Sequence, residues 1–167
     1  MSQQTIEIED DEMAIKEGPQ YLLFYLQSYL FAFGANYISE IVELPQITKV
    51  PWMRPSIKGV CNIRGSIIGV LDLSKYLMDI DYIDTRKSAL VIVNKDLQDM
   101  NYKVGLVVDE VYEVEVFEVQ EFQEVPSFGL PIDSKYVASM VLYNNDFIPV
   151  LDLQSIVDIE LLSQREE

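Results

Sequence analysis

The 167-residue chain has no histidine and a single cysteine, Cys61. Without histidine there is no Ser-His-Asp or Cys-His nucleophile pair, no phosphotransfer to imidazole and no imidazole metal ligand. A lone cysteine makes neither an internal disulfide nor a cysteine-rich zinc site, and it fits a reducing compartment. Cations are scarce: 12 Lys+Arg stand against 28 Asp+Glu, a net charge of −16. Such a chain repels polyphosphate, which argues against nucleic-acid binding. The 7 glycines form neither a P-loop nor a dinucleotide fingerprint. No apolar run approaches the roughly 18–20 residues that span a bilayer. The first residues lack the cationic start and apolar stretch of a secretory signal. These absences lead us to expect a cytoplasmic protein with no direct membrane insertion, no cofactor and no metal.

What is present is a large hydrophobic share, 49%, in short runs. Residues 1–18 hold Glu7, Glu9, Asp10, Asp11, Glu12 and Glu17 against one Lys16, and read as an acidic flexible tail. From Tyr21 the pattern is strand and turn. Tyr21–Leu26 and Tyr29–Phe33 flank Gln27-Ser28, and Asn36–Leu44 suits a strand or a short helical turn. Lys58–Asn62 and Ser66–Leu71 flank Arg64-Gly65, where glycine supplies the positive φ of a tight hairpin. Leu73–Met78 reads as a short helix capped by Asp72, and Leu153–Gln164 as a closing helix capped by Asp152. Ser88–Asn94, Tyr102–Val108, Tyr136–Tyr143 and Phe147–Leu151 are further β runs. Val111–Phe122 alternates apolar residues with glutamates, as a strand with one wet face does.

Two blocks recur. Ile67-Ile68-Gly69-Val70-Leu71-Asp72-Leu73 returns as Phe147-Ile148-Pro149-Val150-Leu151-Asp152-Leu153. Ile38-Ser39-Glu40-Ile41-Val42-Glu43-Leu44 parallels Val108-Asp109-Glu110-Val111-Tyr112-Glu113-Val114 in the same order. The chain therefore reads as mainly β, with two similar small units at about residues 20–80 and 86–155. Units of that size bury too little alone, so a shared interface is expected.

Candidate chemistry is thin. Asp72 and Asp152 resemble a carboxylate pair of a hydrolase, but each sits between a β run and a helix start, where an aspartate caps free N–H groups. Asp79, Asp81 and Asp84 lack the glycine and terminal glutamate of a calcium loop. Cys61 lies in a β run with no base beside it. Arg64 at a hairpin tip has two open readings, an ordinary solvated or carboxylate-paired arginine and a directional anchor for a partner. We expect no catalytic residues.

The stretch Ile57-Lys58-Gly59-Val60-Cys61-Asn62-Ile63-Arg64-Gly65-Ser66-Ile67-Ile68-Gly69-Val70-Leu71-Asp72-Leu73 resembles the CheW-like family of bacterial chemotaxis coupling proteins. Ile38-Ser39-Glu40-Ile41, Val104–Val111 and Ile148–Leu153 fit the same pattern, so the resemblance covers about residues 20–160. Gly69 stands where the family usually has proline, and Ala138-Ser139 where it usually has glycine. The resemblance implies two five-stranded SH3-like barrels packed together across a hydrophobic interface within one domain (residues 19–160), followed by a C-terminal helix and tail (153–167). It implies a non-enzymatic adaptor between the cytoplasmic tip of methyl-accepting chemoreceptors and the regulatory domain of a CheA-type histidine kinase, in arrays at the inner membrane. The same module also serves non-flagellar pathways such as twitching. Carried over by position, Ile38, Glu40, Gly59, Arg64, Gly105, Val111 and Val114 become candidate partner-binding residues.

Overall fold

The computed structural model describes residues 18–81, 84–97 and 100–157. Most of the expected acidic tail (1–18) and residues 158–164 of the expected closing helix lie outside the described residues; the helix itself ends at Ile156, where Val157 turns extended, so the expected run to Gln164 is corrected to four residues. Among the described residues eleven strands run in the order β1 (Gln20–Leu26), β2 (Tyr29–Gly34), β3 (Ile38–Glu43), β4 (Ile57–Ile63), β5 (Ser66–Asp72), β6 (Ala89–Leu97), β7 (Met100–Val108), β8 (Glu110–Val116), β9 (Phe122–Gln123), β10 (Val137–Tyr143) and β11 (Asp146–Leu151). Helix α1 (Leu73–Met78) follows β5, and α2 (Leu153–Ile156) follows β11. The expected short-strand reading holds. Asn36–Leu44 divides into a 3-10 turn at Ala35–Tyr37 and then β3.

The two units are real, but they do not follow the sequence halves. One sheet has the order β8-β1-β2-β11-β10-β9, and the other β3-β6-β7-β5-β4. Each half keeps its first two strands in one sheet and sends its later strands to the other. Parallel contacts stitch the exchange: Ala32 faces Val150 between β2 and β11, and Gly69–Asp72 run beside Val104–Val107 between β5 and β7. The contiguous division at about 20–80 and 86–155 is thereby corrected to a reciprocal exchange of strands. Among the described residues no backbone pairing closes either sheet into a ring.

The exchange explains the runs that lack alternation. On β1, Leu22, Phe24 and Leu26 enter one cluster while Leu23 enters another. On β6, Val91 and Val93 enter the first cluster while Leu90 and Ile92 enter a third. The first cluster gathers β1, β2, β6, β7 and both short helices, and forms the shared interface between sheets. The others fill the interior of each unit. Strands buried on both faces need apolar residues at every position, so periodicity two disappears. Burying a Phe or Leu side chain contributes about 1.5–3 kcal/mol, which is why the interface is built from Phe24, Phe31 and Phe33.

Local signals were read correctly at both helices. The Asp72 side chain accepts from the Lys75 N–H at 3.3 Å, and Asp152 accepts from the Gln154 N–H at 3.1 Å and the Ser155 hydroxyl at 2.8 Å. The repeat extends to the backbone. Asp72 N–H donates to the Ser56 carbonyl and Asp152 N–H to the Tyr136 carbonyl, both at 2.8 Å. The earlier pair of blocks needs a correction of three residues. Each of β3 and β8 carries a bulge, at Ser39 and at Tyr112, and the bulges align Ile38 with Val111 and Glu40 with Glu113. The expected strand Val111–Phe122 also breaks. It stops at Val116, and a 3-10 turn at Val119–Glu121, held by a capping box between Glu118 and Glu121, redirects the chain into β9.

Candidate functional site

The hairpin between β4 and β5 turns on Arg64 and Gly65, with φ of 52° and 86°. Two positive φ values suit the right-handed twist of a two-residue hairpin. Glycine takes that conformation freely; arginine does so at a cost of order 1 kcal/mol. The Asn62 Oδ1 accepts from the Gly65 N–H at 2.9 Å and fixes the turn. Arg64 Nη1 donates to Glu40 Oε1 at 2.8 Å while its side chain stays 79% exposed. Glu40 lies on β3 and Arg64 beside β4, the two ends of the five-stranded sheet. The ion pair therefore bridges a seam that no backbone pairing closes. Both readings of Arg64 meet here: it is paired with a carboxylate and still presents its guanidinium to solvent.

The second unit has the counterpart. Its turn is Asn144-Asn145, with φ of 49° and 67°. Glu113 on β8 accepts the phenolic proton of Tyr143 on β10 and so links one end strand of the six-stranded sheet to the strand next to β9, its other end. That hydrogen bond to a carboxylate raises the Tyr143 phenol well above the ordinary tyrosine value.

The other candidates separate by burial. Ile38 and Val111, equivalent by the bulges, are half-buried and pack against the shared core. Val114 is 50% exposed and offers apolar contact. Gly59 is buried with φ of 146°, and a Cβ there would sit 2.1 Å from the Thr48 carbonyl oxygen. Its missing side chain lets Thr48 pair with Val60 through two 2.8 Å hydrogen bonds. Gly105 is buried in β7, where a Cβ would meet the Leu90 side chain at 2.8 Å. The structure thus brings Glu40 and Arg64 together on one rim, leaves Val114 on the surface, and sets both glycines inside.

Three surface residues escaped sequence reasoning. Ile67 is 68% exposed and Phe147 57% exposed, at matching positions just after the two turns. Ile41, the counterpart of Val114, is exposed as well. The signal was present in the repeat, which pairs Ile67 with Phe147, but a β run alone does not tell an inner face from an outer one.

Four further acids are engaged structurally. Burial raises the Asp72 carboxyl above its ordinary value, partly offset by the capping N–H of Lys75. Burial likewise raises Asp109, offset by the Gln27 N–H at 2.6 Å. Lys75 pairs with Asp79 at 3.0 Å and Asp81 at 3.3 Å. Burial pushes the Cys61 thiol up, away from a reactive thiolate. Among the described residues no helix is long and apolar enough to cross a membrane.

Two SH3-like β units sharing one apolar interface, with seams pinned by Glu40 and Glu113, define a mainly β double module. A family model described as "CheW-like domain" matches residues 20–161, and the chain belongs to that family. It is 27% identical over 148 residues to the chemotaxis protein CheW of Bacillus subtilis strain 168, covering 87% of this chain and 91% of that one. It is 29% identical over 101 residues to Protein PilI of Pseudomonas aeruginosa, covering 60% and 54%. Among solved structures it matches the scaffolding protein TtCheW of Thermoanaerobacter tengcongensis with a TM-score of 0.73 and 26% identity, covering 84% of this chain and 88% of that one.

Proposed function

We propose that this chain is a non-enzymatic chemotaxis adaptor that couples chemoreceptors to a CheA-type histidine kinase. The observation that carries the reading is the family match across residues 20–161, joined to the likeness to a protein named as a scaffold. The mechanism is geometric. Two units fused through one core hold two partners at fixed separation and orientation, so a change in one partner is felt by the other without chemistry in between. One unit engages the regulatory domain of the kinase, and the groove between units receives the cytoplasmic tip of the receptor. The protein then works in the cytoplasm, on receptor arrays at the inner membrane.

Within this reading Arg64 hydrogen-bonds polar groups of the receptor tip, held out by Glu40. Val114 gives apolar contact, while Ile38 and Val111, packed against the shared core from the two sheets, present only part of their side chains to a partner. Gly59 and Gly105 act through the backbone they permit rather than by touching a partner. The capping roles of Asp72 and Asp152 count against a carboxylate hydrolase. The likeness to a relative that is not named CheW favours one second reading, the same module in another signalling complex.

The test is co-sedimentation of the purified protein with receptor-containing membranes and the kinase, with kinase phosphorylation followed. Wild type joins the complex and changes kinase activity in response to receptor ligand. A protein that neither sediments with the complex nor alters phosphorylation overturns the proposal for those partners.

A further inference from the structure

At the rim of the six-stranded sheet a cleft of about 490 Å³ opens. Tyrosines wall it: Tyr25 from β1, Tyr29 from the start of β2, Tyr112 from the β8 bulge and Tyr143 from the end of β10. The Tyr25 and Tyr112 rings lie 5.6 Å apart at 80°, and the Tyr112 and Tyr143 rings 6.4 Å apart at 83°. Rings at right angles make adjoining walls of a box instead of a closed stack. Asp146 lines the same cleft, and Glu113 stands behind Tyr143 as the acceptor of its proton. Tyrosine faces carry negative charge, and the flanking carboxylates add to it. An apolar guest has no need of those carboxylates, whereas a cation meets Asp146 on the wall and is drawn by the charge of Glu113 beside it.

The other unit supplies an internal precedent. At the position equivalent to Glu113, Glu40 is held by the chain's own Arg64. In the tyrosine-lined unit the equivalent turn residue is Asn144, which brings no charge to Glu113. A carboxylate accepts about four hydrogen bonds, so the one from Tyr143 leaves room for a guanidinium. Arginine is favoured over lysine because its planar head stacks on tyrosine and bonds a carboxylate in a fork.

We propose that this cleft is an aromatic cage for a cationic side chain, an arginine presented by an extended segment of a partner protein. The volume accommodates the side chain with its flanking backbone. The proposal does not depend on the adaptor reading, because the cage selects a chemistry and not a pathway.

The test uses the full chain with ¹³C-labelled tyrosine rings, titrated at constant ionic strength. The probes are acetyl-Gly-Arg-Gly-amide and its neutral isostere with citrulline. The arginine peptide is expected to shift the Tyr25, Tyr29, Tyr112 and Tyr143 ring resonances saturably, and citrulline to bind at least about tenfold more weakly. Tyr112→Leu should weaken arginine binding by about fivefold or more, with thermal unfolding as the check on folding. Should that variant unfold, Tyr29→Leu carries the same expectation, because its ring is half-exposed at the mouth. Equal binding of arginine and citrulline overturns the cage. So do shifts scattered over other tyrosines, or ring resonances that never move saturably.

Discussion

Replacing Gly59 by alanine separates a residue that touches a partner from one that shapes the fold. The Cβ would lie 2.1 Å from the Thr48 carbonyl oxygen and 2.7 Å from its carbon, both backbone atoms that cannot swing aside. The φ of 146° adds strain of about 1–3 kcal/mol for a residue with a side chain. Relieving the clash means moving Thr48 off Val60 and losing two backbone hydrogen bonds, each contributing about 0.5–1.5 kcal/mol. Together these give about 2–6 kcal/mol, a large part of the roughly 5–15 kcal/mol of a whole domain. At about 2–4 °C per kcal/mol for a chain of this length, the thermal midpoint should fall by roughly 4–24 °C. Calorimetry or circular dichroism reads the shift. Urea titration reads the same loss, with partner binding measured at a temperature where the variant is still folded. A variant that unfolds within about 2 °C of wild type yet fails to join receptor membranes would refute the reasoning, and would make Gly59 a contact residue.

Arg64→Asn should hold or slightly raise stability, by up to about 1 kcal/mol, because asparagine accepts positive φ more readily and the lost exposed ion pair contributes at most about 1 kcal/mol. Receptor engagement should weaken while the thermal midpoint does not fall; a clear drop in the midpoint would make Arg64 structural. Phe24→Ala, in the core shared by both sheets, should cost about 3–5 kcal/mol and leave one cooperative transition; two separate calorimetric transitions would show that the units fold independently. Asp72→Asn keeps a good helix cap and removes a buried carboxyl whose native pKa is raised above 3.8. Because the native state binds that proton more tightly than the unfolded chain, its ionisation costs stability as pH rises from about 4 through the raised value. Relative to wild type, the variant should therefore gain stability over that window in urea titrations; a gap that shrinks as pH rises would contradict the sign.

Local features were legible in the sequence because short-range chemistry decides them. Asp72 before Leu73–Met78 announces a cap, and Asn144-Asn145 between β runs announces a turn. The repeat was legible because Asp72 and Asp152 hold equivalent backbone bonds to Ser56 and Tyr136. The exchange of strands was not. It rests on pairings such as Ala32 with Val150, separated by most of the chain, and no local propensity encodes which sheet a strand joins. The bulges at Ser39 and Tyr112 were hidden for a related reason. An inserted residue reverses which side chains face inward, yet leaves composition unchanged. Gly59 illustrates the same limit at the candidate site. The resemblance makes it a candidate partner-binding residue, while its role against Thr48 appears only once the chain is folded.

The pseudo-symmetry has one further consequence for an adaptor. A duplicated fold with identical rims would present both partners with the same surface and could not assign them to different sides. Here the scaffold is shared and the rims are not. Glu40 meets Arg64 in one unit, and Glu113 meets Tyr143 in the other. The turns are Arg64-Gly65 and Asn144-Asn145, followed by Ile67 and Phe147. One rim offers a charged donor with an aliphatic neighbour; the other offers tyrosine faces, carboxylate and a phenylalanine. Specificity is a difference of affinities, and on the proposed adaptor reading that contrast would make each rim a poor site for the other's ligand. Exchanging the turns, by Arg64→Asn together with Asn144→Arg, should move the guanidinium to the wrong rim. Loss of ordered assembly with the core intact is then expected, whereas an assembly indifferent to the exchange would show that the rims do not select partners.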